Sequence, residues 1–363
     1  MQAATDQKAF PTMSSINPTE ITTLSTTTKL VSWSLPPATL AFLTASSPTT
    51  AILSIPSLAI PIAFFRYCYL QDPTNTTHLE TLIWTFLGLG TIGLSLSATI
   101  QGILFKPLAS VLFGAQAGKY LEEFTRTNVS DLSDAERKRR AQMARRWQYF
   151  AFLFFFAFGL AGLVEEVLKS SAIILARRWG SVATEREYLN AAVAATLGFS
   201  TVENIAFVYA ARNDSPGILA LTLLERVLLG GPAHTLSGCL LSLSIVRRDL
   251  RREAIGWVRI LGWPTLYHGA WDFSLLAICA ANGNVGWVHP RRPVSLMAGL
   301  GVAVGISAAA FWQVRSEMDR LGVLLTDTEE FDVAGASPEA WTSGDSSLGS
   351  QAEANPGREC PRL

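Results

Sequence analysis

Charge is scarce in this chain of 363 residues: Asp, Glu, Lys and Arg make up 16%, against 49% hydrophobic residues. A soluble domain usually carries about 25% charged residues, and the mean hydropathy of +0.28 points the same way. A soluble cytosolic enzyme is excluded. The charge present is balanced, with 29 basic and 29 acidic side chains, so there is no basic surplus and no nucleic-acid partner. Cysteine is nearly missing. Cys68, Cys239, Cys279 and Cys360 include no CxxC pair, which argues against a disulfide framework or a zinc knuckle. Several catalytic signatures are lacking: the HExxH helix of zinc proteases, the GxSxG elbow, and the GxGD motif of intramembrane aspartyl enzymes. Gly305-Ile306-Ser307-Ala308 places a serine after a glycine, as in a rhomboid nucleophile motif. Such runs are common in apolar helices, and this one is discounted.

What is abundant is uninterrupted apolar chain. Thr81 to Phe105 and Pro293 to Val314 contain stretches that meet the roughly 18-residue criterion for a membrane-spanning helix. Seven candidate spans follow, at about 48–65, 81–105, 148–176, 188–211, 216–246, 257–281 and 293–314. The fold class expected is all-α, a polytopic transmembrane helix bundle with disordered polar tails. Residues 1–47 read as a flexible N-terminal arm rich in Ser, Thr and Pro, with no cleavable signal peptide expected. The bundle occupies 48–315, with a charged loop at 116–147 and a catalytic core at 148–281. Residues 316–363 read as a polar tail, and Cys360-Pro361-Arg362-Leu363 has the outline of a prenylation box with Pro and Arg where aliphatic residues belong. The basic run of the charged loop reads as a solvated helix near lipid headgroups. Charge does not decide orientation, because the arginine pairs after the third and fifth spans oppose the basic loop. The polar tails and the sequons at Asn75, Asn128 and Asn213 fit an endomembrane protein of the ER or Golgi.

Four successive spans carry ionisable residues: Glu165, Glu166 and Lys169; Glu203; Glu225, Arg226 and His234; His268 and Asp272. A charge at the bilayer centre costs at least ~2.5–3.5 kcal/mol on insertion scales, so such groups face the bundle interior and mark function by default. Lys169 stands three and four residues from the two acids, and Asp272 four from His268, so each set shares a helix face. Singly, each residue has a packing role open to it, and Glu225 with Arg226 reads as structural pairing with neighbouring helices. Two adjacent acids, a third acid and two histidines on four successive helices are hard to explain as packing. The triplet Gly230-Gly231-Pro232 is expected to break the fifth span before His234. Two chemistries fit the set. Glutamate can act as general base with histidines stabilising the oxyanion. Alternatively, His and Glu can hold a divalent metal such as Zn. His234, His268 and Glu203 are the ligands considered.

These residues resemble the PrsW family of intramembrane proteases. Glu165-Glu166-Val167-Leu168-Lys169 has the family's EExxK form, and Phe199-Ser200-Thr201-Val202-Glu203-Asn204 its FxxxEN form. His234 and His268-Gly269-Ala270-Trp271-Asp272 are similar to its later histidine motifs, the second in HxxxD form. The family is related to CAAX proteases and bacteriocin-processing membrane proteins. The resemblance implies that Glu165 and Glu166 activate water, that Lys169 positions them, and that His234 and His268 stabilise the oxyanion or hold a metal. Glu203 is then a further site acid, and Asp272 orients His268. The activity implied is endopeptidase action on membrane-bound proteins, with the lipid bilayer and a membrane protein substrate as partners. The alternatives are a non-proteolytic relative, which binds membrane clients or acts on a lipid or isoprenoid-like molecule, and an ion-coupled transporter. No internal repeat supports the last.

Overall fold

The computed structural model describes residues 24–322, apart from 127, 128, 130, 180, 181, 214 and 291. Among the described residues every regular element is helical. The first is α1 (Thr26–Ser46), followed by α2 (Pro48–Gln71), α3 (Thr76–Gly88) and α4 (Leu94–Phe113). The charged stretch forms α5 (Ala117–Thr125) and α6 (Asp134–Ala144), and α7 (Trp147–Phe154) leads into α8 (Val164–Arg178). Then come α9 (Glu185–Ala210), α10 (Pro216–Leu224), α11 (Gly231–Asp249), α12 (Trp257–Ala281) and α13 (Pro293–Leu321).

All seven expected spans are helical, and six helical segments are long and apolar enough to cross a membrane. The remaining expected span is α12, with 25 residues. It is long enough to cross but is not among the six. Its polar content, His268 and Asp272 included, serves the bundle interior instead. Ile92, Ile103, Val111, Leu228 and Phe311 are exposed, an apolar surface that suits lipid and not water.

The structure departs from the sequence reading at four places. Residues 26–46, expected within a flexible arm, form α1. Ser25 caps it, and the Ser25 and Thr28 hydroxyls both donate to the Glu80 carboxylate. The Trp84 indole also donates to Thr28, at 3.0 Å. These contacts join α1 to α3 and are invisible to local composition. The loop at 116–147 is largely helical, and a capping box of Ser133 and Glu136 starts α6. The Gly230-Gly231-Pro232 triplet does not break the chain. Glu225–Gly230 is a π-helical turn that flows into α11, and Pro232 sits just past that junction within a continuous helical run. Residues 316–321, expected in the tail, continue α13. The remaining tail residues, the Cys360 box and Asn128 lie outside the described residues.

α9 is the central helix and packs against α2, α3, α8 and α11. Its buried face is made of Ala191, Ala192, Ala194, Ala195 and Gly198, small residues that let backbones approach. A Cβ on Gly198 would overlap the Phe86 carbonyl of α3, and one on Gly90 would lie 2.6 Å from the Gly198 carbonyl oxygen. Gly198→Ala is therefore expected to destabilise the bundle by about 1–3 kcal/mol through overpacking. The readout is a lower thermal unfolding midpoint of the purified protein. An unchanged midpoint would contradict so close a crossing.

Candidate active site

Three π-helical segments interrupt the bundle, at Leu89–Gly93, Phe155–Leu163 and Glu225–Gly230. The second ends directly before Glu165 and Glu166, and the third contains Arg226 and leads to His234. Such segments widen a helix by one residue per turn and are frequent at functional sites. Here they re-aim the side chains that follow toward the bundle axis. The depth of the site follows from chain position. Glu166 stands between Trp147, which starts α7, and Arg178, which ends α8, and His268 lies near the middle of α12.

Glu166 is fully buried and sits at the hub. Its Oε1 accepts from Lys169 Nζ at 2.7 Å, from His268 Nδ1 at 2.8 Å and from Ser237 Oγ at 3.1 Å. Lys169 Nζ also reaches His234 Nδ1 at 2.9 Å. An ammonium only donates, so His234 Nδ1 accepts and its Nε2 carries the proton. That Nε2–H donates to Glu203 Oε2 at 3.1 Å. Glu203 in turn accepts from the Arg226 guanidinium, whose Nε donates to Asn204 Oδ1 at 3.3 Å. Lys169, Glu166, His234, Glu203 and Arg226 thus form one buried polar chain across α8, α9, α11 and the π-helical turn before it. Neutralised this way, the charges satisfy the demand that buried ions be paired.

A second cluster has no such closure. Glu165 Oε1 accepts from Gln101 Nε2 of α4 at 3.2 Å. Its Oε2 is buried without a hydrogen-bond partner, as is Glu166 Oε2. His268 Nε2 lies 3.5 Å from Glu165 Oε2 and 3.5 Å from Asp272 Oδ2. In its neutral form His268 donates its Nδ1 proton to Glu166 and turns the Nε2 lone pair toward two carboxylate oxygens. Three acceptors that converge in this way call for a cation, either a metal ion or a second proton on the imidazole. Ligands held about 2.0–2.2 Å from one tetrahedral ion are themselves roughly 3.4 Å apart, which matches the 3.5 Å between Glu165 Oε2 and His268 Nε2. One ligand atom from each of Glu165, His234 and His268 lies within 4.8 Å of the others. Both histidines also carry a carboxylate on a second nitrogen, Glu166 for His268 and Glu203 for His234, an arrangement that orients metal-ligating imidazoles. The residues present therefore fit a divalent metal.

All seven residues expected from the sequence meet in this region. The grouping differs in one respect. Glu203 was considered as a metal ligand, but its contacts are the Arg226 guanidinium and His234 Nε2, and Glu165 takes its place in the converging set. The sequence reading missed Gln101, Ser237 and the roles of Asn204 and Arg226. Gln101 was the visible signal: it is an amide in a span otherwise free of charge.

A cavity opens beside this cluster between α11, α12 and α13. It is lined by His234, His268 and Asp272 on one side and by Tyr267, Ser307 and Ala310 on the other. Its volume of about 20 Å³ suffices for one water, and its polar lining suits one.

The sequence model of one protein family, described as PrsW family intramembrane metalloprotease, matches residues 80–304, well over half of the chain. No curated protein and no solved structure matches.

Proposed function

The chain belongs to the PrsW family of intramembrane metalloproteases, and from that premise we propose that it hydrolyses peptide bonds of membrane-bound proteins at the Glu165, Glu166, His234 and His268 cluster. The observation that carries this reading is the buried convergence of bare carboxylate oxygens on an imidazole nitrogen, at mid-span of helices of membrane-crossing length. Such a placement suits a scissile bond in or beside a spanning segment.

Glu165, His234 and His268 would hold the metal. When bound, a divalent ion supplies Lewis-acid polarisation of the scissile carbonyl and lowers the pKa of water. The chain's own groups do the rest. Glu166 Oε1 is held by three donors, which fixes the direction of its carboxylate and leaves Oε2 bare. The attacking water gives its proton to Oε2 as it adds to the carbonyl, and Glu166 passes that proton to the leaving amine. Lys169 holds the carboxylate in register, Glu166 orients His268 through Nδ1, and Asp272 faces the Nε2 side of the ring as a further acceptor. Glu203 orients His234, and Arg226 holds Glu203. Burial of the whole set keeps bulk water from competing with these short contacts.

The test compares new protein N-termini in membranes of cells that carry the wild-type chain and cells that carry Glu165→Gln, at equal protein level. N-termini found only with the wild type, in or beside apolar segments, are the expected outcome and name the substrates. Identical N-termini in both samples would refute proteolysis at this site and leave a client-binding role or chemistry on a lipid-like molecule.

A further inference from the structure

Away from the catalytic cluster, the end of the bundle where α12 stops and α13 starts holds a second, larger cavity of about 370 Å³. That is within the range of ligand sites, roughly 300–1,000 Å³, and too large for a lone ion or water. Five of the residues that line it are basic: Arg137, Lys138 and Arg140 of α6, His289, and Arg292 at the start of α13. None of its described lining residues is acidic, and Asn282 and Asn284 add neutral polar groups.

The charges divide into two kinds. Arg140 is almost fully buried and anchored: its guanidinium donates to the Glu123 carboxylate and to the Val285 carbonyl. His289 Nε2 pairs with Glu225 Oε2 at 2.9 Å. These contacts build the wall. Lys138 and Arg292, by contrast, are exposed and have no ion-pair partner among the described residues. The buried Arg140 Nε–H also has no acceptor. Two more features add positive potential. Arg292 is the N-cap of the 29-residue α13 and makes no side-chain cap, and no acid stands in that helix's first turn.

We propose that this cavity binds a phosphate group, presented by an anionic lipid headgroup at the membrane boundary. Guanidinium forks and an ammonium around one pocket suit phosphate oxygens, and basic pockets between the ends of spanning helices suit lipid phosphates. The position supports the lipid source. The cavity lies where α12 ends and α13 begins, beside the start of α7, where the exposed Trp147 marks the membrane–water boundary. The walls are set before any ligand arrives, since the loop's Gly286 N–H donates to Tyr149 Oη at 2.7 Å and Arg140 ties α6 to the same loop.

The experiment uses the purified full chain in detergent with water-soluble dioctanoyl phosphatidic acid, dioctanoyl phosphatidylcholine or inorganic phosphate, read by thermal shift and by binding. Phosphatidic acid is expected to bind and to raise the unfolding midpoint, and phosphatidylcholine is not. Lys138→Gln combined with Arg292→Gln should weaken phosphatidic acid binding about 30-fold, at roughly 1 kcal/mol per basic residue. Both residues are exposed and without an ion-pair partner among the described residues, so the fold should survive. Lys119→Gln with Arg145→Gln makes the same charge change outside the cavity and should leave binding within about threefold. Inorganic phosphate that competes only at far higher concentration assigns the lipid, and equal affinity assigns the free anion. Equal loss in the two double variants, wild-type binding by the cavity variant, or equal binding of phosphatidylcholine would each overturn the proposal.

Discussion

Glu165→Gln and Glu166→Gln are both expected to abolish proteolysis, and only the second is expected to unsettle the fold. The two carboxylates are neighbours in sequence but not in circumstance. Glu165 accepts from one neutral donor, Gln101, and presents its second oxygen to His268 Nε2, which Asp272 also faces. A glutamine there keeps the Gln101 contact and relieves some repulsion among the converging acceptors. Its stability should change by no more than about 1 kcal/mol, while the lost ligand should lower the rate about a thousandfold or more. Glu166 is the counter-ion of a Lys169 that is itself completely buried. Loss of one member of a buried pair costs about 3–5 kcal/mol, because the partner charge is left uncompensated. Glu166→Gln should therefore show both a loss of turnover, by at least the ~10²–10⁴ of a general base, and a clearly lower unfolding midpoint. Lys169→Met added to Glu166→Gln should recover much of that stability and none of the activity. The assignment of roles fails if Glu165→Gln retains a tenth of wild-type turnover, or if the two single variants unfold at the same temperature.

That contrast also marks what the sequence could and could not reveal. Spacing was enough for contacts within one helix: Glu166 with Lys169 at 2.7 Å, and His268 with Asp272 at 3.5 Å, both follow from helical periodicity. Hydropathy was enough for the spans, because a long uncharged run has few folds open to it. The contacts that define the chemistry cross between helices far apart in sequence, such as His268 to Glu166 and Gln101 to Glu165. No periodicity encodes them. The three π-helical segments are likewise hidden, since the runs that form them, such as Phe155–Leu163, are apolar and would suit an α-helix equally well. Their effect is to rotate Glu165 and His234 relative to an unbroken helix. A reading based on α-helical phase therefore brings the right residues to the bundle interior, yet cannot say that Glu165, and not Glu203, joins the converging set. Glu225 and Arg226 do pair away from one another, with His289 and with Glu203 of α9, but local sequence does not encode which partners they take.

One divalent ion per chain is the expected result when the purified protein is assayed for metal after mild washing, with activity lost on chelation and restored by zinc. The ion should vanish from Glu165→Ala and from His268→Ala, whose side chains supply the acceptors that lack a donor. His234→Ala should bind it at least tenfold more weakly. In the present arrangement His234 Nδ1 accepts from Lys169, so this histidine must exchange that contact to ligate, and its contribution is smaller than that of a free ligand. Glu203→Gln separates the two ligand sets. If Glu203 only orients His234, the variant keeps full occupancy at saturating metal with affinity lowered about 10–100-fold, as for other outer partners of metal-bound histidines. If Glu203 is a ligand, the ion is lost altogether. A wild-type protein that retains no ion, and whose proteolysis resists chelation, would leave the cation requirement of the cluster to a second proton on His268. Glutamate would then act with an imidazolium in place of a metal, and the same seven residues would carry acid–base chemistry alone.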